Sequence, residues 1–220
     1  MANGTIRAML TRSEKVGLIS AYFVIAALLG ISPVDRAAWA LENTVPFLEG
    51  LLFIGYFRWR RLEPTRPTAY LIFIHLCVQM IGGHYTYAKV PLFDWLAAQF
   101  GWARNHYDRL AHFAVGFCLY PALREIFLRR APIGGSPPWA GFMAFTSITA
   151  LAGVWEVWEW LVAVTAYPDL GTAYLGMQGD PWDAQKDILL APVGALAAMA
   201  LLTKWQERLM SATPDEPCNP

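Results

Sequence analysis

Cysteine is scarce in this chain of 220 residues: Cys77, Cys118 and Cys218 are the only three, and no CxxC or CxxH spacing relates them. That excludes a thiolate zinc module, a paired-thiol redox motif and a disulfide scaffold. Two of the three lie inside apolar runs and read as core filling. Charge is equally thin. Asp, Glu, Lys and Arg make up 15% of the chain, and 17 basic residues balance 17 acidic ones. With a sequence pI near 6.9 there is no basic field to recruit nucleic acid and no acidic tail. Familiar catalytic signatures are missing too. The chain has no nucleophilic serine or cysteine motif, no phosphate-cradling glycine loop, no haem-attaching CxxCH and no zinc-binding HExxH.

What is present is apolar surface, with 56% hydrophobic and 14% aromatic residues. That balance places the chain among polytopic membrane proteins. A bilayer core of about 30 Å needs about 20 mostly apolar residues per helix. Six segments meet that need: 16–34, 39–57, 68–83, 110–128, 139–165 and 184–205. A shorter stretch, 91–102, reads as an interfacial amphipathic helix. The fold expected is an all-α integral membrane protein of about six spans plus that interfacial helix. Its single membrane domain would occupy 16–205, between an N-terminal segment, 1–15, and a flexible tail, 206–220, both cytoplasmic. The prolines and polar residues of SATPDEPCNP give that tail nothing to pack. Basic residues precede the first span, but no cleavage site leads into a soluble domain, so the first span is expected to be retained.

The basic residues set an orientation. Twelve of the 17 fall at the N-terminus, around 58–66, around 124–130 and at the C-terminus, whereas Arg36, Lys89, Arg104, Arg109 and Lys186 fall on the other side. The positive-inside rule then puts both termini in the cytoplasm.

The remaining polar chemistry gathers on the opposite, trans, face, in GGHYTYAKVP (82–91), RNHYDRLAH (104–112), EVWEW (156–160) and GDPWDAQKD (179–187). An ionisable residue in a span costs about 2.5–3.5 kcal/mol on insertion scales, so each needs a partner, water or a task. Asp108 and His112 are four apart and share a helix face, where the carboxylate can orient the imidazole or both can hold a metal. The plainer alternative is that Asn105 caps the helix, with Asp108 in its favoured first turn. Glu156 and Glu159 must point into the bundle, unless they sit in an aromatic belt and reach water.

Asp180, Asp183 and Asp187 form a DxxDxxxD stripe suited to a hard divalent cation such as Mg²⁺, Ca²⁺ or Mn²⁺. Helix capping by Asp180, with Pro181 at the first helical position, explains part of it. In the glycine-bearing segment, Tyr87 reads as a membrane anchor. His84 and Lys89 are left between anchoring and contact with a headgroup. Glu42 and Glu49 flank Pro46 on one face of the second span and would line a cavity or bond a neighbouring helix.

The ordered motifs GGHYTYAKVPLFDW, RNHYDRLAHFAVG, WEVWEW and GDPWDAQKDILLAPVGA make the chain resemble the YjdF-like family of bacterial inner-membrane proteins over roughly 30–205. The resemblance implies the helical membrane fold and a multi-pass inner-membrane location, and implies no reaction. A weaker pattern is similar to VanZ-like proteins and would correspond to Asp108, Arg109, His112, Glu156 or Glu159, Asp187 and Gly194.

Two readings follow. In the first, the trans site binds or processes a lipid or phosphorylated amphiphile. His84, Lys89, Arg104 and Arg109 would contact the substrate, and His112, Asp108, Glu156 and Glu159 would carry acid–base chemistry. Asp180, Asp183 and Asp187 would hold the cation. In the second, Arg104 and Arg109 pair internally with Asp180, Asp183 and Glu159, and the lipid face meets a membrane-protein partner. A proton-coupled transporter using Glu42, Glu49, Glu156 and Glu159 is a third option. The partners expected are membrane lipids, with no nucleic acid; whether the chain is an enzyme is left open.

Overall fold

The computed structural model describes residues 8–60, 62–130, 136–165 and 177–211. Among them run seven helices and no strand: α1 (Arg12–Leu29), α2 (Arg36–Trp59), α3 (Arg66–His84), α4 (Pro91–Phe100), α5 (Tyr107–Arg130), α6 (Pro137–Thr165) and α7 (Asp183–Ser211). Local chemistry sets several boundaries. Thr11 and Glu14 form a reciprocal capping box at α1, and the Asp35 carboxylate accepts from Ala38 N at 2.8 Å to start α2. Pro91 opens α4, and Gly101, at φ 67°, ends it in the left-handed region that glycine enters without strain. The tail beyond residue 211 and the first seven residues lie outside the described residues.

Three helices, α5 over Tyr107–Arg129, α6 and α7, are long and apolar enough to cross a bilayer. Helices α1, α2 and α3 span 18, 24 and 19 residues. The interfacial segment is observed as α4, which has no buried residue.

Helix α5 is the hub, packing on α3, α6 and most extensively on α7. Alanines make the α5–α6–α7 core thin: Ala144, Ala152, Ala191, Ala195 and Ala198 pack there around Tyr120 and Ile148. A larger-residue core joins α1, α3 and α5 through Tyr22, Ile72, Leu76, Met80 and Leu119. At the α5–α7 crossing Gly116 faces the Ala191 carbonyl and Gly194 faces the Phe113 carbonyl, so close that neither position has room for a Cβ. This is the small-residue contact by which membrane helices gain van der Waals packing.

The two ends of the bundle differ. At the lower end Glu125 is buried and accepts from Thr65 N at 3.0 Å, from the Thr68 hydroxyl at 2.7 Å, from Gln206 Nε2 at 3.2 Å and from the Thr65 hydroxyl. Arg124, also buried, donates to Gln206 Oε1 at 2.9 Å and to Glu207. Each of these groups has a partner, as a buried polar network requires. An isolated bridge between Met9 and Thr65 ties the N-terminal segment to the same end. The upper end carries residues 84–106 and 177–183, and with them the polar motifs.

Candidate functional site

The upper end is built from the loop before α5. Asn105 accepts from Tyr107 N at 3.0 Å and donates to Val90 O at 3.0 Å and Asp94 Oδ1 at 2.8 Å, fixing the helix entry against α4. Its backbone exchanges two bonds with the Gln178 side chain, tying in the segment before α7. Arg104 is buried and clasps Asp183 with both terminal nitrogens, one of them at 3.0 Å. Arg109 donates to Asp180 at 2.5 Å, and Lys186 joins the same oxygen at 2.5 Å. The hydrogen bond from Lys186, supported by Trp182 N and Arg109, holds the Asp180 carboxyl down to about 2.

Two expected groupings therefore come out differently placed. Asp180 and Asp183 face the arginines, with Asp180 in the turn before α7 rather than on the helix, and only Asp187 turns to the interior. Arg104 and Arg109 are engaged by these carboxylates, and Glu159 is not among their partners. His84 bonds Leu29 O at 2.7 Å at the end of α1, and Lys89 is exposed. Tyr87, expected as an anchor, folds back instead: at φ 52° its ring lies over Gly82, and its hydroxyl donates to Gln79 Oε1 at 2.8 Å. Burial, followed by the carboxylates of Glu42, Asp108 and Glu159, pushes its phenol well above the ordinary range, so it remains a proton donor in that bond.

Asp108, His112 and Asp187 converge from α5 and α7, one ligand-type atom from each lying within 4.8 Å of the others. From α6, Glu156 Oε1 reaches to 3.4 Å of His112 Nε2, which stands 3.5 Å from Asp108 Oδ1. Asp108, His112 and Glu159 also line a cavity of about 580 Å³. Its upper end adds Glu42, Gln79 and Tyr87; its walls are mostly apolar, drawn from α2, α5 and α6. Halfway down, His75 Nε2 meets Glu49 Oε2 at 3.0 Å, with His75 2% exposed.

His75 lies outside the sequence motifs that mark the site, although a histidine within YLIFIHLCVQM is the kind of intramembrane polar residue that signals a partner. Gln79 and the lower network of Glu125, Thr65, Thr68 and Gln206 lie outside those motifs as well.

An all-helical bundle with three bilayer-length apolar helices and ionisable groups such as Glu42, His75, His112, Glu156 and Asp187 buried inside it defines a multi-pass membrane protein. The chain belongs to the family described as "Predicted membrane protein (DUF2238)", which matches residues 15–208. It is similar to inner membrane protein YjdF of Escherichia coli (strain K12), at 37% identity over 181 residues that cover 81% of this chain and 84% of that protein. Its location is the bacterial inner membrane. No solved structure matches the chain significantly, and the VanZ-like pattern finds no support in these comparisons.

Proposed function

We propose that the chain binds an amphiphile taken from the bilayer, its tail in the apolar cavity and its polar end against the upper cluster. The observation that carries this is the cavity itself. Its volume, about 580 Å³, lies within the range of ligand pockets, roughly 300–1,000 Å³. Its wall residues Leu48 and Leu52 of α2 and Leu151 of α6 are 51%, 71% and 52% exposed, so the cavity opens sideways to lipid. Helix α2 packs closely on α3 and not on α6, which leaves that side open. Glu42, Asp108 and Glu159 make the polar end acidic, while Arg104 and Arg109 are held by Asp183 and Asp180. This favours a hydroxyl-bearing, amine-bearing or cation-bridged head over a bare phosphate.

The test is uptake of dodecanol, dodecylamine or laurate by purified full-length protein in detergent, followed by native mass spectrometry. One dodecanol or dodecylamine per chain is expected, with several-fold less in Val115→Phe, which fills the cavity, and in Leu48→Trp, which narrows its mouth. No uptake by wild type, or undiminished uptake by both variants, would refute the reading.

We propose further that six helices cross the membrane, all but α4, with the upper end extracytoplasmic and both termini cytoplasmic. The support is the concentration of twelve of the 17 basic residues at the lower end and its adjoining termini. A cysteine introduced at Ala98 should react with a membrane-impermeant maleimide in intact cells, and one at Lys15 should not. The reverse pattern would invert the topology.

A further inference from the structure

We propose that Asp108, His112, Glu156 and Asp187 form a site for one divalent first-row transition-metal ion, zinc or manganese in type, stapling α5, α6 and α7 at their upper ends. The site shares only Asp187 with the aspartate stripe and does not depend on what fills the cavity.

Distances are the first support. Around His112 Nε2, oxygens of Asp108 and Glu156 stand at 3.5 and 3.4 Å. Those separations are long for imidazole–carboxylate hydrogen bonds, which close to about 2.7–2.9 Å when charge-assisted. They equal the edge of a tetrahedron, about 3.4 Å, whose ligands lie about 2.1 Å from a central ion. Asp187 stands farther out, with a ligand oxygen within 4.8 Å of ligand atoms of Asp108 and His112, and would move in to complete the set.

Unmet polarity is the second support. Asp187 is 2% exposed, and its Oδ1 has no hydrogen-bond partner among the described residues. Glu156, 9% exposed, likewise leaves Oε1 without a hydrogen bond. Both belong to the group around His112. A buried unsatisfied carboxylate oxygen is costly, so two in one buried cluster need a common partner. The nearby arginines do not supply it, because Arg104 and Arg109 point to Asp183 and Asp180.

Charge and donor type choose the ion. Three carboxylates with one neutral imidazole place three negative charges around one point, and a divalent cation reduces them to one. A set of three oxygens and one nitrogen lies between the oxygen cages of Mg²⁺ or Ca²⁺ and the imidazole-rich sites of later metals, where zinc and manganese bind. Asp108 and His112 also line the cavity, so an ion there would present any further coordination position to the cavity's occupant.

The experiment strips the purified full-length protein with chelator, equilibrates it with Zn²⁺, Mn²⁺, Mg²⁺ or Ca²⁺, desalts it and counts metal by mass spectrometry. One Zn²⁺ or Mn²⁺ per chain is expected, retained in Asp180→Asn and weakened at least about tenfold in Asp187→Asn and in His112→Gln. Because either variant could misfold, wild type is also loaded with Co²⁺ and Mn²⁺. Strong visible absorption from four-coordinate Co²⁺, or coupling of Mn²⁺ to an imidazole nitrogen in electron spin-echo spectra, supports the site directly. Absence of a stoichiometric ion in folded wild type, preference for Mg²⁺ or Ca²⁺ over both transition ions, or wild-type affinity in folded Asp187→Asn overturns it.

Discussion

A single methyl group at Gly116 should pull the candidate metal site apart. A Cβ there would fall within the Ala191 carbonyl and 2.7 Å from Ala195 N, and one at Gly194 would press on the Phe113 carbonyl and lie 2.9 Å from Phe117 N. These obstructing atoms are backbone of the facing helix and cannot rotate aside. Relief comes from separating α5 and α7, by about 1.5 Å if the methyl is to reach ordinary contact with the Ala191 oxygen. His112 lies one turn above Gly116, and Asp187 one turn above Ala191, so the separation passes directly into the distance between the two side chains. Overpacking of this kind costs about 1–3 kcal/mol. A displacement of that size also far exceeds the tolerance of metal–ligand distances, about 0.2 Å. Gly116→Ala is therefore expected to melt earlier than wild type and to bind Zn²⁺ or Mn²⁺ about 10–100-fold more weakly. Gly153→Ala, whose Cβ meets nothing within 4 Å, should change neither. Thermal unfolding in detergent, with and without metal, measures both effects. Wild-type stability together with wild-type metal affinity in Gly116→Ala would refute the chain of reasoning from helix spacing to site.

Two further outcomes follow from the upper end. Asp183→Asn removes the charge that compensates buried Arg104 and should cost about 3–5 kcal/mol, whereas Arg104→Met combined with Asp183→Leu should recover much of it; equal losses in the single and double variants would argue against the pairing. His106, beside Trp102, has its titration lowered by burial and then by the Arg109 and Arg104 guanidiniums. The folded state thus binds fewer protons than the unfolded one, so stability is full above the unfolded value near 6.5 and falls as pH drops below it. His106→Gln should flatten that part of a melting-temperature profile against pH, and an unchanged profile would remove His106 as the cause.

The helices were the legible part, because hydropathy and length respond to the same bilayer constraint that shapes the fold. Five of the seven helices begin within three residues of the apolar segments marked in the sequence, and α4 begins where the interfacial stretch does. Depth, facing and partnership were harder to read. The spacing of Asp180, Asp183 and Asp187 suggests one stripe, yet α7 starts at Asp183, and the arginines that claim Asp180 and Asp183 come from more than seventy residues earlier in the chain. His75 and Glu49 are 26 positions apart on different helices, and no local pattern predicts their contact. Tyr87 misled because its type suits an interface, while the backbone turn that returns it over Gly82 is a feature of conformation. Asp108 and His112 share a face by spacing alone; their meeting with Asp187 and Glu156 needed the glycine crossing.

The lower network also bears on how the chain is made. Glu125 takes hydrogen bonds from Thr65 and Thr68, at the start of α3, and from Gln206, near the end of α7. Arg124 is satisfied by Gln206 and Glu207 on that last helix. During synthesis, α5 therefore enters the membrane with the Thr65 and Thr68 partners of Glu125 already made, while Gln206 and Glu207, the partners of Arg124, have not yet left the ribosome. Until α7 arrives, Arg124 must stay in contact with water or lipid headgroups, so α5 settles to its full depth only once α7 has been made. A truncated chain lacking the last helix would expose that unfinished charge to whatever machinery surveys membrane proteins.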